Sequence, residues 1–241
     1  MKNINFFSDD LEVNNRTVLL RLDLNVPIKE KIIQDDTRIS LCLPFLEKLI
    51  KKKAKIIIIS HLGRPKGEKL PELSLIPIFK YLKKKLSTNV YFFMGELDKN
   101  IKDKFSYQKE GEIILLENIR FFKEESENND SFAKTLASLC DIYINDAFSC
   151  SHRKQASIHK VVKFAKKSYA GPLLKKELDA IGKIFENKKK PVTCIIGGSK
   201  ISTKIDVILN LIKKIDNLII VGAMANNFLK FKNYTIGKSL V

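Results

Sequence analysis

The sequence predicts an α/β protein of two Rossmann-like parallel-sheet domains, joined by a long helix, with the second domain incomplete in this chain. Short β-branched runs alternate with stretches of helical periodicity, which is the pattern of βαβ units. One long helical pattern interrupts this alternation, and only two further strands follow it. The predicted strands cover residues 17–22, 55–59, 90–93, 112–116, 141–144, 192–196 and 217–221.

The first long helix is predicted over residues 38–53. Its side chains Ile39, Leu43, Leu46 and Ile50 have the i, i+4, i+7, i+11 spacing of an amphipathic helix, which Pro44 is expected to bend. The residues before it, Asp35, Asp36 and Thr37, are typical of helix caps. Further helices are predicted over residues 75–86, 131–139 and 203–214.

A second long helix is predicted after Pro172, because Leu174, Leu178, Ile181 and Phe185 lie on one helical face. It lies between two sets of βαβ units and is interpreted as a rigid connector. The predicted organisation is a first domain over residues 1–171, the connecting helix over 172–190, and the start of a second domain over 191–241. Two strands and two helices are too few to close a doubly wound sheet, so we expect the chain to stop in mid-domain.

The composition favours an intracellular protein rather than a membrane or secreted one. The hydrophobic content of 44% is enough for a buried core, yet no apolar run approaches the length of a membrane span. The first residues lack the apolar stretch and cleavage site of a signal peptide. The four cysteines are widely spaced and form no CxxC pair, which favours free thiols. We expect a cytoplasmic protein with no membrane partner.

The net charge of +17 allows two interpretations. A basic protein attracts polyanions such as nucleic acids. The other interpretation is a lysine-rich solvated surface. It is favoured because the lysines cluster near predicted helix ends and no stacking aromatic side chains accompany them. We therefore expect no nucleic-acid partner.

Arginine is rare in this chain, since only six of its 44 basic side chains are Arg. A lysine-rich sequence has little reason to use Arg unless a planar, bidentate donor is needed. Four of the six follow predicted strand ends or begin a helix, namely Arg38, Arg64, Arg120 and Arg153. Arg21 lies inside a strand and is expected to pair with a buried carboxylate, whereas Arg16 is expected on the surface.

These four arginines occupy the expected ligand edge of the first domain together with Asp23, Asn25 and His61. Ligands of open α/β sheets bind beyond the carboxyl ends of the strands. Any single arginine there could equally be part of a surface ion pair. Four forked donors together indicate a small ligand with several phosphate or carboxylate oxygens.

A glycine-rich turn begins the second domain. Gly197 and Gly198 follow a strand and precede Lys200, Lys204 and a helix, and Gly222 follows the next strand. This arrangement lets a backbone approach phosphates closely, with helix N–H groups and Lys supplying positive charge. The Walker A pattern GxxxxGK[ST] is absent, and the turn alone is a weak indication.

Seven motifs together resemble those of phosphoglycerate kinases, in the same order and spacing, over about residues 18–241. They are RLDLNVP, QDDTRI, SHLGRPKG, LLENIRF, NDAF followed by SHR, GGSKISTK and GAMANNFL. The resemblance implies reversible transfer of a phosphoryl group from 1,3-bisphosphoglycerate to ADP, giving 3-phosphoglycerate and ATP in glycolysis. It implies that Mg²⁺ is carried by the nucleotide, that the protein supplies no metal ligand, and that the partners are these small molecules.

The resemblance also implies roles for individual residues. The phosphoglycerate-binding residues would be Asp23, Asn25, Arg38, His61, Arg64, Arg120 and Arg153, and the nucleotide-binding residues Gly197, Gly198, Lys200, Lys204 and Gly222. Arg38 and Lys200 match the catalytic residues that contact the transferring phosphoryl group, meeting across it only after a hinge closes. His152 matches a histidine of that hinge.

The chain departs from the family pattern at several positions. Ser199 stands where Ala is usual, and Val221 where Gly is usual, which alters the expected fit of the adenine pocket. Ser149, Cys150 and Ser151 replace a smaller Gly-x-Ala run, and Lys154 and Gln155 stand where Ala and His are common. Family members also continue further, with the ribose-binding acid and a glycine loop that faces the phosphates. The alternative to an active kinase is therefore a non-catalytic phosphoglycerate-binding fragment.

Overall fold

The computed structural model describes residues 4–98, 100–186 and 190–241. The chain divides into two compact parts, called unit 1 (Met1–Glu177) and unit 2 (Leu178–Val241). Among the described helices, none is long and apolar enough to cross a membrane. All four cysteines are free thiols, as expected.

Unit 1 is built on a six-stranded parallel sheet. Its strands are β1 (Thr17–Arg21), β4 (Lys55–Ile59), β5 (Val90–Phe93), β6 (Ile113–Leu116), β7 (Ile142–Asn145) and β8 (Ser168–Ala170). Their spatial order is β5-β6-β4-β1-β7-β8, with Val18 of the central strand opposite both Ile56 and Ile142. The α/β class and the parallel sheet are confirmed, and the five strands predicted for this unit lie within one residue of their observed bounds.

The structure adds three short strands to the prediction. β2 (Ile28–Lys29) and β3 (Ile32–Ile33) form a separate antiparallel hairpin, and β8 completes one edge of the main sheet. The edge is held by backbone contacts such as the Tyr143 N–H donating to the Lys167 carbonyl at 2.9 Å. Elements of two or three residues are too short to show an alternating pattern, so sequence reasoning misses them.

Helices cover both faces of this sheet, as in a doubly wound fold. They are α1 (Thr37–Lys51), α2 (Ile76–Lys85), α3 (Ile101–Lys104), α4 (Lys123–Ser126), α5 (Asp130–Ser138), α6 (Val161–Phe164) and α7 (Pro172–Glu186). Alternate residues of β4 point into different layers. Ile58 packs in the core layer that contains Leu46 of α1, and Ile57 in the layer that contains Leu136 of α5.

The start of α1 differs from the prediction. Asp36 is the N-cap residue, but its side chain makes no capping hydrogen bond. Instead the Asp35 carboxylate accepts the backbone N–H of Thr37 at 2.8 Å, which turns the chain just before the helix. Of the four side chains predicted on the buried face of α1, Ile39 and Leu46 are buried, whereas Leu43 and Ile50 are only partly buried. The rest of the buried face consists of Cys42, Phe45 and Leu49.

The connecting helix α7 begins at Pro172, as predicted, and is described to Glu186. The predicted continuation over residues 187–189 lies outside the described residues. The division between the two units falls inside this helix, after Glu177. The domain limits 1–171, 172–190 and 191–241 therefore stay predictions.

Unit 2 contains two parallel strands, β9 (Thr193–Gly197) and β10 (Asn217–Val221), and the helices α8 (Ile205–Ile212) and α9 (Ala223–Phe231). α8 is shorter than predicted because a 3₁₀ turn, Ile201–Thr203, takes up the residues before it. Within the described part of this unit the sheet leaves apolar side chains uncovered, and Ile195 is 67% exposed.

Candidate functional site

The predicted ligand edge exists in unit 1, at the carboxyl ends of four neighbouring strands. Asp23 and Asn25 follow β1, His61 and Arg64 follow β4, Arg120 follows β6, Arg153 lies in the segment after β7, and Arg38 is in the first turn of α1. Because the strand order places β6, β4, β1 and β7 side by side, these segments meet along one edge of the sheet. This edge is called the rim below.

Asp23 organises one end of the rim. Its Oδ2 accepts hydrogen bonds from Arg38 Nη1 at 2.5 Å and from the Ser149 hydroxyl. Its Oδ1 accepts the backbone N–H of Asn25 at 3.2 Å. The Asp23 side chain is 13% exposed and that of Arg38 is 50% exposed. The carboxylate therefore orients Arg38 from one side while half of the arginine remains accessible to a ligand.

The peptide of Gly63 links two further rim residues. Asn25 Oδ1 accepts the Gly63 N–H at 2.9 Å, and Arg120 Nη1 donates to the Gly63 carbonyl at 2.8 Å. Gly63 has a φ of +61°, and a Cβ on it would lie 2.7 Å from a methyl carbon of Leu73. This position therefore needs glycine. The next residue, Arg64, is exposed at the rim.

Arg120 is only 5% exposed, and its hydrogen bonding is incomplete. Its Nη2 donates to Gln155 Oε1 at 3.3 Å, whereas its buried Nε has no partner. Burial, followed by the charge of Arg153, lowers the pKa of the guanidinium to about 10. It is still charged at neutral pH, and an anionic ligand would offset both the desolvation and the repulsion.

His61 is 3% exposed and lies against a buried arginine. Arg21 Nη2 is 3.2 Å from its Nδ1. Burial is the main cause that lowers the pKa of His61 to about 2, and the charges of Arg21, Arg120, Arg153 and Arg38 act in the same direction. The imidazole is consequently neutral at physiological pH, so it can donate a hydrogen bond without adding charge.

Asp23, His61 and Cys150 have potential metal-ligand atoms within 4.8 Å of one another. Two of the three are already engaged, because Arg38 and Ser149 bond Asp23 Oδ2 and Arg21 faces His61 Nδ1. A cation would have to displace these donors and face several guanidinium groups. The electrostatics of this cluster favour an anion.

Sequence reasoning misses two residues of the rim, Ser149 and Gln155, and the way in which Arg21 is held behind it. Arg21 is fully buried, and its expected carboxylate partner is reached through a hydroxyl, since Arg21 Nε donates to Ser157 Oγ, which donates to Glu125. Ser149 and Gln155 bond Asp23 and Arg120 directly. Both residues lie close to Arg153 in the segment that departs from the family pattern, and this departure is the feature of the sequence that could have indicated them. His152 is exposed in the same segment, and its hinge role stays a prediction.

The glycine turn of unit 2 is formed at the carboxyl ends of β9 and β10. The Gly198 carbonyl accepts the backbone N–H of Met224 at 2.9 Å, so the turns after the two strands are hydrogen-bonded together. Gly222 has a φ of +68°, which favours glycine. A Cβ on Gly198 would lie 3.1 Å from Lys204 Cε, so the Lys204 side chain crosses this glycine, and Lys200 leads into the following 3₁₀ turn.

Val221 is accommodated by its neighbour strand. A Cβ on Gly197 would lie only 2.8 Å from Val221 Cγ2. The absence of a side chain at Gly197 therefore makes room for the larger residue at the end of β10.

Unit 1 has a small cavity at the rim and a larger one that none of the predicted site residues line. A cavity of about 210 Å³ lies beside the Asp23–Arg38 pair and is also lined by Asp146 and Ser149. A larger cavity of about 940 Å³, beyond the ends of β5 and β6, contains none of the predicted site residues. Because the guanidinium donors that suit an anion lie at the rim, the rim is the candidate site despite its smaller enclosed volume.

A sequence model of the phosphoglycerate kinase family matches residues 8–241. The phosphoglycerate kinase of Wolbachia pipientis wMel is 48% identical over 231 residues, covering 96% of this chain and 58% of that protein. The Clostridium novyi phosphoglycerate kinase is 44% identical over 235 residues, covering 97% of this chain and 59% of its own length. The chain thus spans less than two thirds of the relatives it matches.

Solved structures give the same result. The structure of phosphoglycerate kinase from Coxiella burnetii has a TM-score of 0.84 at 46% identity, covering 96% of this chain and 58% of that one. The phosphoglycerate kinase of Pyrococcus horikoshii OT3 has a TM-score of 0.81 at 28% identity, with 96% and 59% covered.

Proposed function

The chain belongs to the phosphoglycerate kinase family, and we propose that the rim of unit 1 binds 3-phosphoglycerate or 1,3-bisphosphoglycerate. The observation that carries this proposal is the placement of Arg38, Arg64, Arg120 and Arg153 along one edge of the sheet, with Arg38 half exposed beside Asp23 and Arg120 bonded to the Gly63 carbonyl. Phosphoglycerates bring a phosphate and a carboxyl or acyl-phosphate group, each able to accept forked hydrogen bonds from Arg.

The proposed reaction is phosphoryl transfer between 1,3-bisphosphoglycerate and ADP. Such a transfer needs positioning and neutralisation of charge more than covalent chemistry. Arg38 suits this task because Asp23 orients it while half of its side chain stays accessible. Together with Arg38, the proposed phosphoglycerate-binding residues are Asp23, Asn25, His61, Arg64, Arg120 and Arg153.

Unit 2 is proposed to bind the nucleotide, which enters as its Mg²⁺ complex and is a substrate. The residues proposed for this are Gly197, Gly198, Lys200, Lys204 and Gly222. Their support is the pair of hydrogen-bonded glycine turns and the path of Lys204 across Gly198. We propose Lys200 as the second catalytic residue, acting on the transferring group opposite Arg38 after closure of a hinge that includes His152.

A second candidate function is phosphoglycerate binding without turnover. It is favoured by the uncovered apolar side chains of the unit 2 sheet, such as Ile195 and Ile219, which leave the nucleotide turn with little packing behind it. For either function we propose a cytoplasmic monomer with small-molecule partners and no nucleic acid, in keeping with the free thiols and the placement of the arginines.

The test is a calorimetric titration of the 241-residue chain with 3-phosphoglycerate. Arg38→Ala should weaken binding by ~1.5–3 kcal/mol, the range for a charge-assisted hydrogen bond. Arg16→Ala is the matched control, because it removes an exposed guanidinium outside the rim. Equal affinities of the wild-type chain and the Arg38 variant would contradict the proposed site.

A further inference from the structure

We propose that Arg21 is a positioning residue, held in place by Ser157 and Glu125, that fixes His61 as the tautomer with its proton on Nε2. The inference rests on the proposed function, because it makes the Nε2–H group a neutral donor to the bound phosphoglycerate. It assigns roles to three residues that lie behind the rim and do not contact the ligand.

The contact between Arg21 and His61 has only one chemically allowed direction. The two nitrogens, Arg21 Nη2 and His61 Nδ1, are 3.2 Å apart. A guanidinium carries N–H donors and no acceptor, so Nδ1 must present its lone pair. A neutral imidazole has a single ring proton, which therefore lies on Nε2.

Arg21 is anchored on its other side by a buried hydroxyl. Its Nε donates to Ser157 Oγ at 3.2 Å, and Ser157 Oγ donates to Glu125 Oε1 at 2.7 Å. The Ser157 hydroxyl has one proton. Because it donates this proton to Glu125, its oxygen is left to accept the hydrogen bond from Arg21. The remaining oxygen, Glu125 Oε2, accepts the Ser157 backbone N–H at 2.8 Å.

This anchor belongs to the core of unit 1. Arg21, Ser157 and Glu125 are fully buried, and Arg21 Nη1 also donates to the Leu22 carbonyl at 2.5 Å. The Tyr143 hydroxyl on β7 donates to the Ser157 carbonyl at 2.7 Å. The orientation of Arg21 is thus determined by the folded core, before any ligand binds.

The tautomer determines whether His61 attracts or repels an anion at Nε2. With the proton on Nε2, the ring nitrogen that does not face Arg21, His61 offers a donor without adding to the charge of the guanidinium groups. With the proton on Nδ1, the Nε2 lone pair would repel a phosphate or carboxylate oxygen. Cys150 Sγ lies 3.9 Å from Nδ1 and 4.0 Å from Nε2, so this long contact does not distinguish the two nitrogens, and an oxygen acceptor of the ligand would make a shorter bond with Nε2.

Nitrogen NMR of the chain labelled with ¹⁵N-histidine tests this proposal. The chain has three histidines, and substitution of His152 and of His159 by Gln, one at a time, assigns their signals and leaves the third set to His61. We expect His61 Nε2 to be protonated and Nδ1 to be unprotonated in the ligand-free wild-type chain at neutral pH. A proton on Nδ1, or on both nitrogens, overturns the proposal.

Ser157→Ala tests the anchor. It removes the hydroxyl between Arg21 and Glu125, and we expect His61 to become a mixture of tautomers and the affinity for 3-phosphoglycerate to fall about tenfold. Ser168→Ala is the matched control, because the Ser168 hydroxyl is buried without a hydrogen-bond partner. Both variants are checked for folding by their proton–nitrogen spectra.

The two levels of the proposal fail in different ways. An unchanged His61 tautomer in folded Ser157→Ala overturns the role of Ser157 and Glu125. If the wild-type chain shows the expected tautomer but binds no 3-phosphoglycerate, the proposed function fails while the role of Arg21 stands.

Discussion

Asp146 offers a sharp test of the electrostatics of unit 1. Its Oδ1 accepts the backbone N–H of Leu174 at 2.9 Å, in the first turn of α7, whereas its buried Oδ2 has no partner. Burial is the main cause that raises the pKa of this carboxyl from 3.8 to about 6, against the lowering effect of the backbone N–H groups. Keeping this carboxylate ionised in the folded protein therefore costs free energy.

The direction and size of the effect follow from linkage. Because the folded-state pKa is the higher one, the stabilising contribution of this group is complete below its unfolded-state pKa of 3.8 and is lost as pH rises through about 6. A difference of about two pKa units corresponds to ~3 kcal/mol of unfolding free energy at neutral pH. Asp146→Asn keeps an oxygen for Leu174 and removes the charge, so this pH dependence should disappear.

The assay is urea unfolding followed by circular dichroism, for the wild-type chain and Asp146→Asn, at several pH values. The unfolding free energy of the variant minus that of the wild type should increase by ~2–3 kcal/mol between about pH 4 and pH 7. The new amide N–H₂ group adds a cost that does not vary with pH, so only the slope is diagnostic. A difference that is constant over this range would refute the reasoning.

Three further outcomes are expected. Arg120→Ala should weaken 3-phosphoglycerate binding by ~1.5–3 kcal/mol in calorimetry, because its Nη1 and unpartnered Nε are buried at the rim; unaltered affinity would remove it from the site. Arg64→Lys should also weaken binding in the same titration although the charge is kept, since an ammonium group cannot form a bidentate fork; full affinity in the Arg64→Lys variant would undo the argument from arginine scarcity. The 241-residue chain should bind phosphoglycerate yet show negligible ATP formation in a coupled assay. The uncovered sheet of unit 2 leaves its phosphate turn with little packing behind it, and displacement of such a turn by about 1 Å can cost ~100-fold in rate. Brisk turnover would favour the kinase over the binding function.

The sequence was informative where one residue pattern determines one structure. The isoleucine-rich run at Lys55–Ile59 predicts a buried central strand, and the position of His61 and Arg64 directly after it predicts the rim. In a parallel sheet the strand ends lie at one edge, so placing residues after strands is enough to bring them together.

Other features depend on contacts between distant residues and have no local pattern. Arg21 lies in a strand, and nothing around it in the sequence shows that its side chain joins Ser157 to His61. The fit of Val221 over Gly197 requires the register of β9 and β10. The hairpin β2–β3 is missed for a different reason, because strands of two residues carry no periodic signal.

The central claim is that the rim recognises the arrangement of a phosphate and a carboxylate, and not merely negative charge. The most direct measurement is a calorimetric comparison of 3-phosphoglycerate with 2-phosphoglycerate, which has the same groups and charge in a different arrangement. Forked donors at fixed positions should bind 3-phosphoglycerate at least about tenfold more tightly, a difference of ~1.4 kcal/mol. Equal affinities for the two isomers would show that a diffuse basic surface binds them, and would contradict the account.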